Sequence, residues 1–180
     1  DKISLTRLPA QDIAKLQSLL TLRGRLSVTL GRFTVSKNEA AKFMGRDGTE
    51  ELFLVYDNMI STIKEQIKNL ERSIKEVIGN NEKLKLSYEL VTSVKGVGLI
   101  VACYLISYTH NFTRFSTWRK FACYSGIAPF YHQSGTSVKG RTQVSSIANK
   151  EMKRILHLAA ICAIHTDAEM TEYYCRRQNE

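Results

Sequence analysis

Apolar residues recur at steps of three and four along the first part of the chain, which is the period of an α-helix. The first such stretch runs from residue 9 to about residue 42, and Pro9 suits the first turn of a helix. Its apolar positions are Ile13, Leu16, Leu19, Leu20, Leu26, Leu30 and Phe33. The pattern predicts one long amphipathic helix.

A second stretch, after a break at residues 45–48, has the most regular pattern in the chain. Thr49, followed by Glu50 and Glu51, predicts a capped restart. The apolar steps alternate strictly between three and four: Phe53, Tyr56, Ile60, Ile63, Ile67, Leu70, Ile74 and Val77. Such an a/d seam predicts an antiparallel coiled-coil hairpin with the first helix, and self-association through it. A stalk without self-association is the alternative. Residues 79–81 are a point where the seam can be interrupted.

Residues 90–102 read as a short helix, a Gly-x-Gly turn and an apolar helix, the pattern of a helix-hairpin-helix. Glycine in such a turn lets backbone N–H groups approach a phosphate without a Cβ in the way. Gly96 and Gly98 are the candidates, and Lys95 adds a charge beside them. A plain turn between two helices is the alternative.

Three further helices are predicted downstream, with an exposed loop or short hairpin at residues 131–144 between the first and the second. The helix at residues 115–125 is expected to turn Trp118 and Phe121 inward. Ser145 and Ser146 are expected to cap the next helix, which reaches about His165, and a short helix follows at residues 168–177. We therefore predict an all-α, mainly helical fold with two parts: a linker and coiled-coil region at residues 1–89, and a small helical domain at residues 90–180.

Composition excludes several classes of protein. With 2 Pro and 10 Gly in 180 residues, the chain is neither collagen-like, nor low-complexity, nor a turn-dense all-β protein. The four cysteines form no C-x-x-C pair, so neither a zinc knuckle nor a disulfide framework is indicated. The longest apolar run, residues 97–106, is about half the ~20 residues of a membrane span. We expect a soluble, cytoplasmic protein with no membrane partner.

Charge indicates a polyanionic partner. The formal net charge is +9, and residues 110–154 hold 8 basic residues and 1 acidic residue, whereas the remainder is nearly balanced. Aromatic residues interleaved with these charges suit base stacking, although helical spacing favours a core role for Phe115, Trp118 and Phe121. The candidate nucleic-acid-binding residues are Lys95, Gly96, Gly98, Arg114, Arg119, Lys120, His132, Lys139, Arg141, Lys150, Lys153 and Arg154.

Two hydroxyls in the predicted loop, Ser134 and Ser137, are candidate nucleophiles. A serine hydroxyl needs a base, cationic neighbours or a metal to act on a phosphodiester. His132 is a possible proton carrier, and Lys139, Arg141 and Arg154 can hold the phosphate and offset the charge that develops on it. A plain turn serine is the alternative. The chain has no G-x-S-x-G elbow, Walker A loop or H-E-x-x-H, and capping explains its acidic cluster at residues 167–172, so no metal site is predicted.

The order of five sequence blocks resembles the C-terminal part of insertion-sequence transposases of the 110/116/902 type, RNA-bridged recombinases related to the pilin-gene invertases. The resemblance covers about residues 90–177, with the coiled-coil linker matching by pattern. The blocks are VKGVG at 94–98, FSTWRKFA at 115–122, SGIAP at 125–129, QSGTS at 133–137 and IANKEMKRIL at 147–156.

The resemblance implies DNA transposition. It implies a catalytic serine that becomes joined to DNA, which maps onto Ser134, with Ser137 as second choice. It also implies a structured guide RNA, assembly as dimers or tetramers through the coiled coil, and an N-terminal RuvC-like domain whose acidic residues hold Mg²⁺. This sequence begins just before the linker helix, so we expect a C-terminal fragment that is inactive alone. A non-catalytic module for nucleic-acid binding and oligomerisation is the alternative.

Overall fold

Seven helices and one two-stranded sheet make up the described part of the chain, which confirms the mainly helical prediction. The computed structural model describes residues 10–44, 49–134 and 138–179, with backbone alone at residues 131–134 and 138–139. The elements are α1 (Gln11–Met44), α2 (Glu50–Gly79), α3 (Glu82–Thr92), α4 (Leu99–Tyr108), α5 (Trp118–Tyr124), β1 (Pro129–Ser134), β2 (Val138–Val144), α6 (Lys150–Thr166) and α7 (Ala168–Gln178). None of the helices in these ranges is long and apolar enough to cross a membrane.

Helices α1 and α2 form an antiparallel hairpin. Arg23 Nε donates a hydrogen bond of 2.9 Å to Glu71 Oε1, and the Phe33 and Tyr56 rings meet edge to face at 6.3 Å. Arg23, the earlier residue of α1, contacts the later residue of α2, whereas Phe33, further along α1, contacts the earlier Tyr56. The two helices therefore run antiparallel. All eight predicted seam positions of α2 are buried or half-buried, so the seam faces α1 as predicted.

The seam is interrupted where the sequence allowed it. Helix α2 ends at Gly79, and Asn81 starts α3 by accepting hydrogen bonds from the backbone N–H groups of Lys83 and Leu84. An asparagine that caps a new helix satisfies donors that would otherwise be left unpaired at its start. The chain therefore turns at this point instead of extending the hairpin.

The core lies where one end of the hairpin meets α4 and α6. Helix α4 is apolar on nearly every side, which is typical of a helix enclosed by neighbours. The cluster comprises Ile13, Leu16, Leu20, Ile74, Val77, Ile78, Leu84, Cys103, Tyr104, Ile106, Met152 and Ile155. This packing holds α4 and α6 together, and the chain between them carries half of the candidate binding residues.

Helix α5 is shorter than predicted. It begins at Trp118, because Thr117 occupies the N-cap and its side chain accepts a hydrogen bond from Lys120 N. It ends in a Schellman motif, in which Ile127 N donates to Ala122 O at 3.1 Å. Gly126 allows this end, since its φ is +68° and an added Cβ would lie 2.7 Å from the Ala148 Cβ.

Residues 129–134 and 138–144 form the strands of the short hairpin that was one of the two predicted possibilities. Strands β1 and β2 pair antiparallel, with an irregularity in register between Phe130 and His132. Ser134 is the last residue of β1 and pairs with Val138, at the end of the sheet nearest the connecting residues 135–137. Ser137 lies outside the described residues, as do the side chains of His132, Ser134 and Lys139.

The predicted cap of α6 was wrong. Asn149, rather than Ser145 or Ser146, starts the helix, and its Oδ1 accepts a hydrogen bond of 2.9 Å from Met152 N. Asn149 is fixed in this position by Tyr124 of α5, whose hydroxyl accepts from Asn149 Nδ2 at 2.7 Å. Ser145 instead accepts from Ile147 N within the preceding turn.

Candidate nucleic-acid interface

Residues 90–150, here called the basic segment, contain no aspartate or glutamate. The absence of acidic residues is visible in the sequence. The range of residues 110–154 used for the predicted basic region included Glu151 and left out Lys95. Seven basic residues lie in the segment: Lys95, Arg114, Arg119, Lys120, Lys139, Arg141 and Lys150. A surface with a single sign of charge attracts a polyanion and repels other cations.

The turn between α3 and α4 carries the predicted phosphate contacts Lys95, Gly96 and Gly98. Lys95 Nζ lies 2.9 Å from Asp167 Oδ2 in an ion pair. Gly96 has a φ of +85°, and an added Cβ would lie 2.5 Å from the carbonyl oxygen of Ala159 in α6. Close packing against α6 thus explains why residue 96 is a glycine. Gly98, in contrast, is exposed, and an added Cβ there would meet nothing within 4 Å.

Arg114 lies against aromatic rings. Its guanidinium carbon is 4.7 Å from the centroid of the Tyr124 ring and 5.3 Å from that of Phe115, and its Nη1 donates to Tyr108 O at 3.2 Å. Cation–π contacts of this kind fix the side chain while leaving its charge at the surface. Arg114 therefore braces the turn before α5.

The inward orientation predicted for Trp118 was wrong, since its side chain is 74% exposed. Phe115 fills the space beside the core instead, with its ring 5.6 Å from Phe121 and 5.0 Å from Tyr124. Trp118 lies in the first turn of α5, where a side chain points back past the end of the helix. The Arg119 guanidinium lies 5.3 Å from its ring centroid, and Lys120 is exposed beside them.

The start of α6 brings three of the predicted basic residues together. Lys150, Lys153 and Arg154 line a groove of about 710 Å³ with Ile127 and His157. Arg154 is paired within its own helix, because its Nη2 and Nε donate to the two carboxylate oxygens of Glu151 at 2.6 and 3.1 Å. The hydrogen bond from Arg154 lowers the pKa of Glu151. In the part of the chain that the structure describes, Lys150 and Lys153 make no ion pair.

The remaining predicted site residues lie on the hairpin of β1 and β2. Arg141 is exposed on β2, whose backbone also carries Lys139 opposite Gln133 of β1. Ser134 is thus held by backbone pairing at the end of a strand bordered by basic sequence.

Two residues that tie α5 to α6, Tyr124 and Asn149, were not predicted from the sequence. Their hydrogen bond joins segments that no local pattern connects.

The described residues offer little for a metal. Within residues 10–44, 49–134 and 138–179, no group of three or more His, Cys, Asp or Glu side chains is placed to hold an ion.

Comparison with known proteins identifies relatives. Residues 88–175 match the family described as "Transposase IS116/IS110/IS902 family". An uncharacterized 43.6 kDa protein of the insertion element IS110 from Streptomyces coelicolor is 31% identical over 134 residues, which cover 73% of this chain and 32% of the relative. Pilin gene-inverting proteins from Moraxella lacunata and Moraxella bovis are each 25% identical over 105 residues, 58% of this chain and 33% of the relative. The matches span about a third of the length of these relatives.

Proposed function

Since this chain belongs to the IS116/IS110/IS902 transposase family, matching it over residues 88–175, we propose that it binds DNA through the basic segment and supplies a serine nucleophile for strand exchange in transposition. One observation carries the proposal: the family match and the acid-free basic segment coincide along the chain. Family membership favours DNA as the polyanion over an acidic membrane surface.

We propose that the main phosphate contacts are made by exposed cations that form no ion pair among the described residues. Arg119 and Lys120 on α5, and Lys150 and Lys153 on α6, meet this condition. Lys95, Arg114 and Arg154 already contact Asp167, aromatic rings and Glu151, so we assign them a smaller share of the binding energy. Arg141 and Lys139 border the strand that ends at Ser134.

The nucleophile is proposed to be Ser134, with Ser137 as second choice. Its position at the end of β1 and the resemblance of residues 133–137 to the family's serine motif support this assignment. In the proposed step the hydroxyl gives its proton to a base, an O–P bond forms, and the bond from phosphorus to one deoxyribose oxygen breaks as that oxygen is protonated. His132 is the proposed proton carrier, and Lys139 and Arg141 offset the charge that develops on the phosphate.

Other partners remain proposals. From the resemblance we propose a structured guide RNA and a RuvC-like part that holds Mg²⁺, and from the composition a cytoplasmic location. Self-association through the α1–α2 hairpin is supported by exposed apolar side chains outside the seam, of which Leu54 is 62%, Val55 59% and Val35 55% exposed. No step proposed for the described residues runs through a metal.

Binding is tested by the salt dependence of affinity for a duplex DNA. Each phosphate neutralised contributes about 0.9 to the slope of log K against log salt. The double variant Lys150→Ala/Lys153→Ala is expected to lower that slope by about 2. Lys64→Ala/Lys68→Ala on α2, which removes the same charge from outside the basic segment, is the matched control and is expected to leave the slope unchanged. A shallow slope in the wild type would contradict the proposal.

The nucleophile is tested in a preparation competent for strand exchange that includes this chain. A protein–DNA adduct resistant to detergent is expected with the wild type and with Ser137→Ala, and it is expected to disappear with Ser134→Ala. Persistence of the adduct in Ser134→Ala would exclude Ser134. Absence of any adduct in the wild type, together with steep salt-dependent binding, would favour the alternative of a non-catalytic binding module.

A further inference from the structure

We propose that Trp118 is a stacking platform for an unpaired nucleobase, with Arg119 and Lys120 holding the flanking phosphates. The inference rests on the proposed nucleic-acid binding and names the part of the nucleic acid that this surface takes. It assigns the surface to single-stranded or splayed-out bases rather than to intact duplex.

The exposure of Trp118 is the first observation. At 74% exposed, the indole has no place in the core, because Phe115 already packs against Phe121 and Tyr124. Scattered apolar side chains on a surface are ordinary and need no ligand. Trp118 differs from such side chains because two cations, Arg119 and Lys120, lie beside it, and their charge indicates which ligand would fit.

Charge around the indole is the second observation. Arg119 lies over the ring at 5.3 Å, and it makes no ion pair within the described residues. The nearest acidic residues in sequence are Glu89 and Glu151, about thirty positions away on either side. An apolar protein partner needs no such cations, whereas a nucleotide presents a flat base beside a phosphate. An aromatic face flanked by cations matches both parts of it.

The turn before α5 is the third observation. His110, Asn111 and Phe112 have φ angles of +49°, +54° and +62°, a costly left-handed run for residues other than glycine. It is held in place because Asn111 N donates to Ile106 O at 2.7 Å and Phe112 N donates to Thr109 Oγ1 at 2.9 Å. Backbone strain that the surroundings maintain is common at ligand clamps. Here the turn leaves the Phe112 ring 49% exposed, a second aromatic surface in the same acid-free segment.

The chain offers a direct test, since Trp118 is its single tryptophan. Stacking on a base quenches indole fluorescence, so the wild type is titrated with oligo(dT), with oligo(U) and with a blunt duplex of equal length at one salt concentration. We expect saturable quenching by a single strand and little by the duplex. The oligo(dT) and oligo(U) arms distinguish DNA from RNA as the source of the base, and quenching by either supports the inference.

Affinity variants give a second readout, measured by the anisotropy of labelled oligonucleotides. Trp118→Ala is expected to lose about 5- to 100-fold in single-strand affinity and less than about twofold in duplex affinity, whereas Trp118→Phe retains most of the single-strand affinity. The matched control is Tyr173→Ala, which removes a 52%-exposed aromatic with Arg176 5.5 Å from its ring, outside the basic segment. We expect it to change neither affinity. Unchanged helical circular dichroism confirms that each variant folds.

The outcomes separate this inference from the function on which it rests. If the wild type binds duplex with steep salt dependence but no single strand quenches Trp118, stacking is excluded and DNA binding stands. Equal losses on duplex and single strand in Trp118→Ala would also exclude stacking. If the wild type binds no nucleic acid at low salt, the proposed function itself fails.

Discussion

Gly96 shows how one residue can satisfy a functional pattern and a packing requirement at the same time. The Gly-x-Gly turn predicted an open approach for a phosphate, yet Gly96 lies against the backbone of α6 in a left-handed conformation. A Cβ at this position would collide with main-chain atoms of Ala159 and Ala163, which cannot rotate out of the way as a side chain can. The two glycines of the turn therefore have separable roles.

Substituting each glycine measures those roles. Gly96→Ala is expected to destabilise the protein by about 2 kcal/mol or more, since it combines left-handed strain with the collision. Gly98→Ala is the matched control and is expected to cost less than about 1 kcal/mol, because φ is −92° and no atom lies within 4 Å of the new Cβ. Urea denaturation followed by far-ultraviolet circular dichroism gives both values. Equal losses would contradict the close approach to α6.

At the scale of elements, α7 depends on a single acidic residue. Asp167 caps α7 by accepting hydrogen bonds from Glu169 N and Met170 N, and it pairs with Lys95 of the α3–α4 turn. Thr171 Oγ1 also donates to the Ile164 carbonyl of α6. The hydrogen bond from Lys95 lowers the pKa of the Asp167 carboxyl, with smaller lowering contributions from the backbone donors. One carboxylate thus joins the start of α7 to the α3–α4 turn.

Two variants separate the cap from the ion pair. Asp167→Asn keeps a capping oxygen but loses the charge, and Asp167→Ala loses both, so melting temperature at pH 7 is expected to fall in the order wild type, Asn, Ala. Because the folded-state pKa is lowered, the advantage of wild type over Asn is fully present above the ordinary carboxyl value of 3.8. It is expected to vanish as pH falls through the folded-state pKa. An advantage that persists below pH 2 would contradict the ion-pair contribution.

Elements were predictable where the signal was local. The three-and-four spacing fixed the α1–α2 hairpin and the side of α2 that faces α1, because helical periodicity is a property of neighbouring residues. The helix start at Asn149 was missed, since Asn149 becomes a cap through Tyr124, 25 residues away. The start at Thr117 was missed although its cap is local, with Lys120 N donating to Thr117 Oγ1. The orientation predicted for Trp118 failed because Phe115, not Trp118, packs against Phe121 and Tyr124. For the site, charge placed the basic segment, but which cations are already paired depended on tertiary contacts.

At the scale of the whole molecule, one hydrophobic cluster includes side chains from both predicted parts of the chain. Leu16 on α1, Ile74 on α2, Cys103 and Ile106 on α4, and Met152 on α6 are all almost fully buried within it. The division at residue 90 stays a prediction about sequence regions. Packing across it indicates that the stability of the basic segment depends on the hairpin.

Labelling of Cys103 tests this dependence. Burial raises the pKa of its thiol to about 12, so the folded protein presents neither access nor thiolate to a thiol reagent at pH 8. Leu16→Ala removes a fully buried side chain of α1 and is expected to cost about 2–5 kcal/mol. If opening of the shared core limits reaction, labelling of Cys103 in α4 accelerates by about 30-fold or more.

The matched control is Val28→Ala, an apolar truncation on the same helix at a side chain that is 57% exposed. It is expected to change the rate by less than about twofold, since exposed positions contribute little to stability. Mass spectrometry of the Cys103 peptide distinguishes this thiol from Cys162 and Cys175, which are exposed and expected to react in every variant. Unchanged Cys103 labelling in Leu16→Ala, alongside a lowered melting temperature, would mean that the hairpin and the basic segment unfold independently. Shared opening would instead make the hairpin a determinant of how firmly the proposed nucleic-acid surface is held.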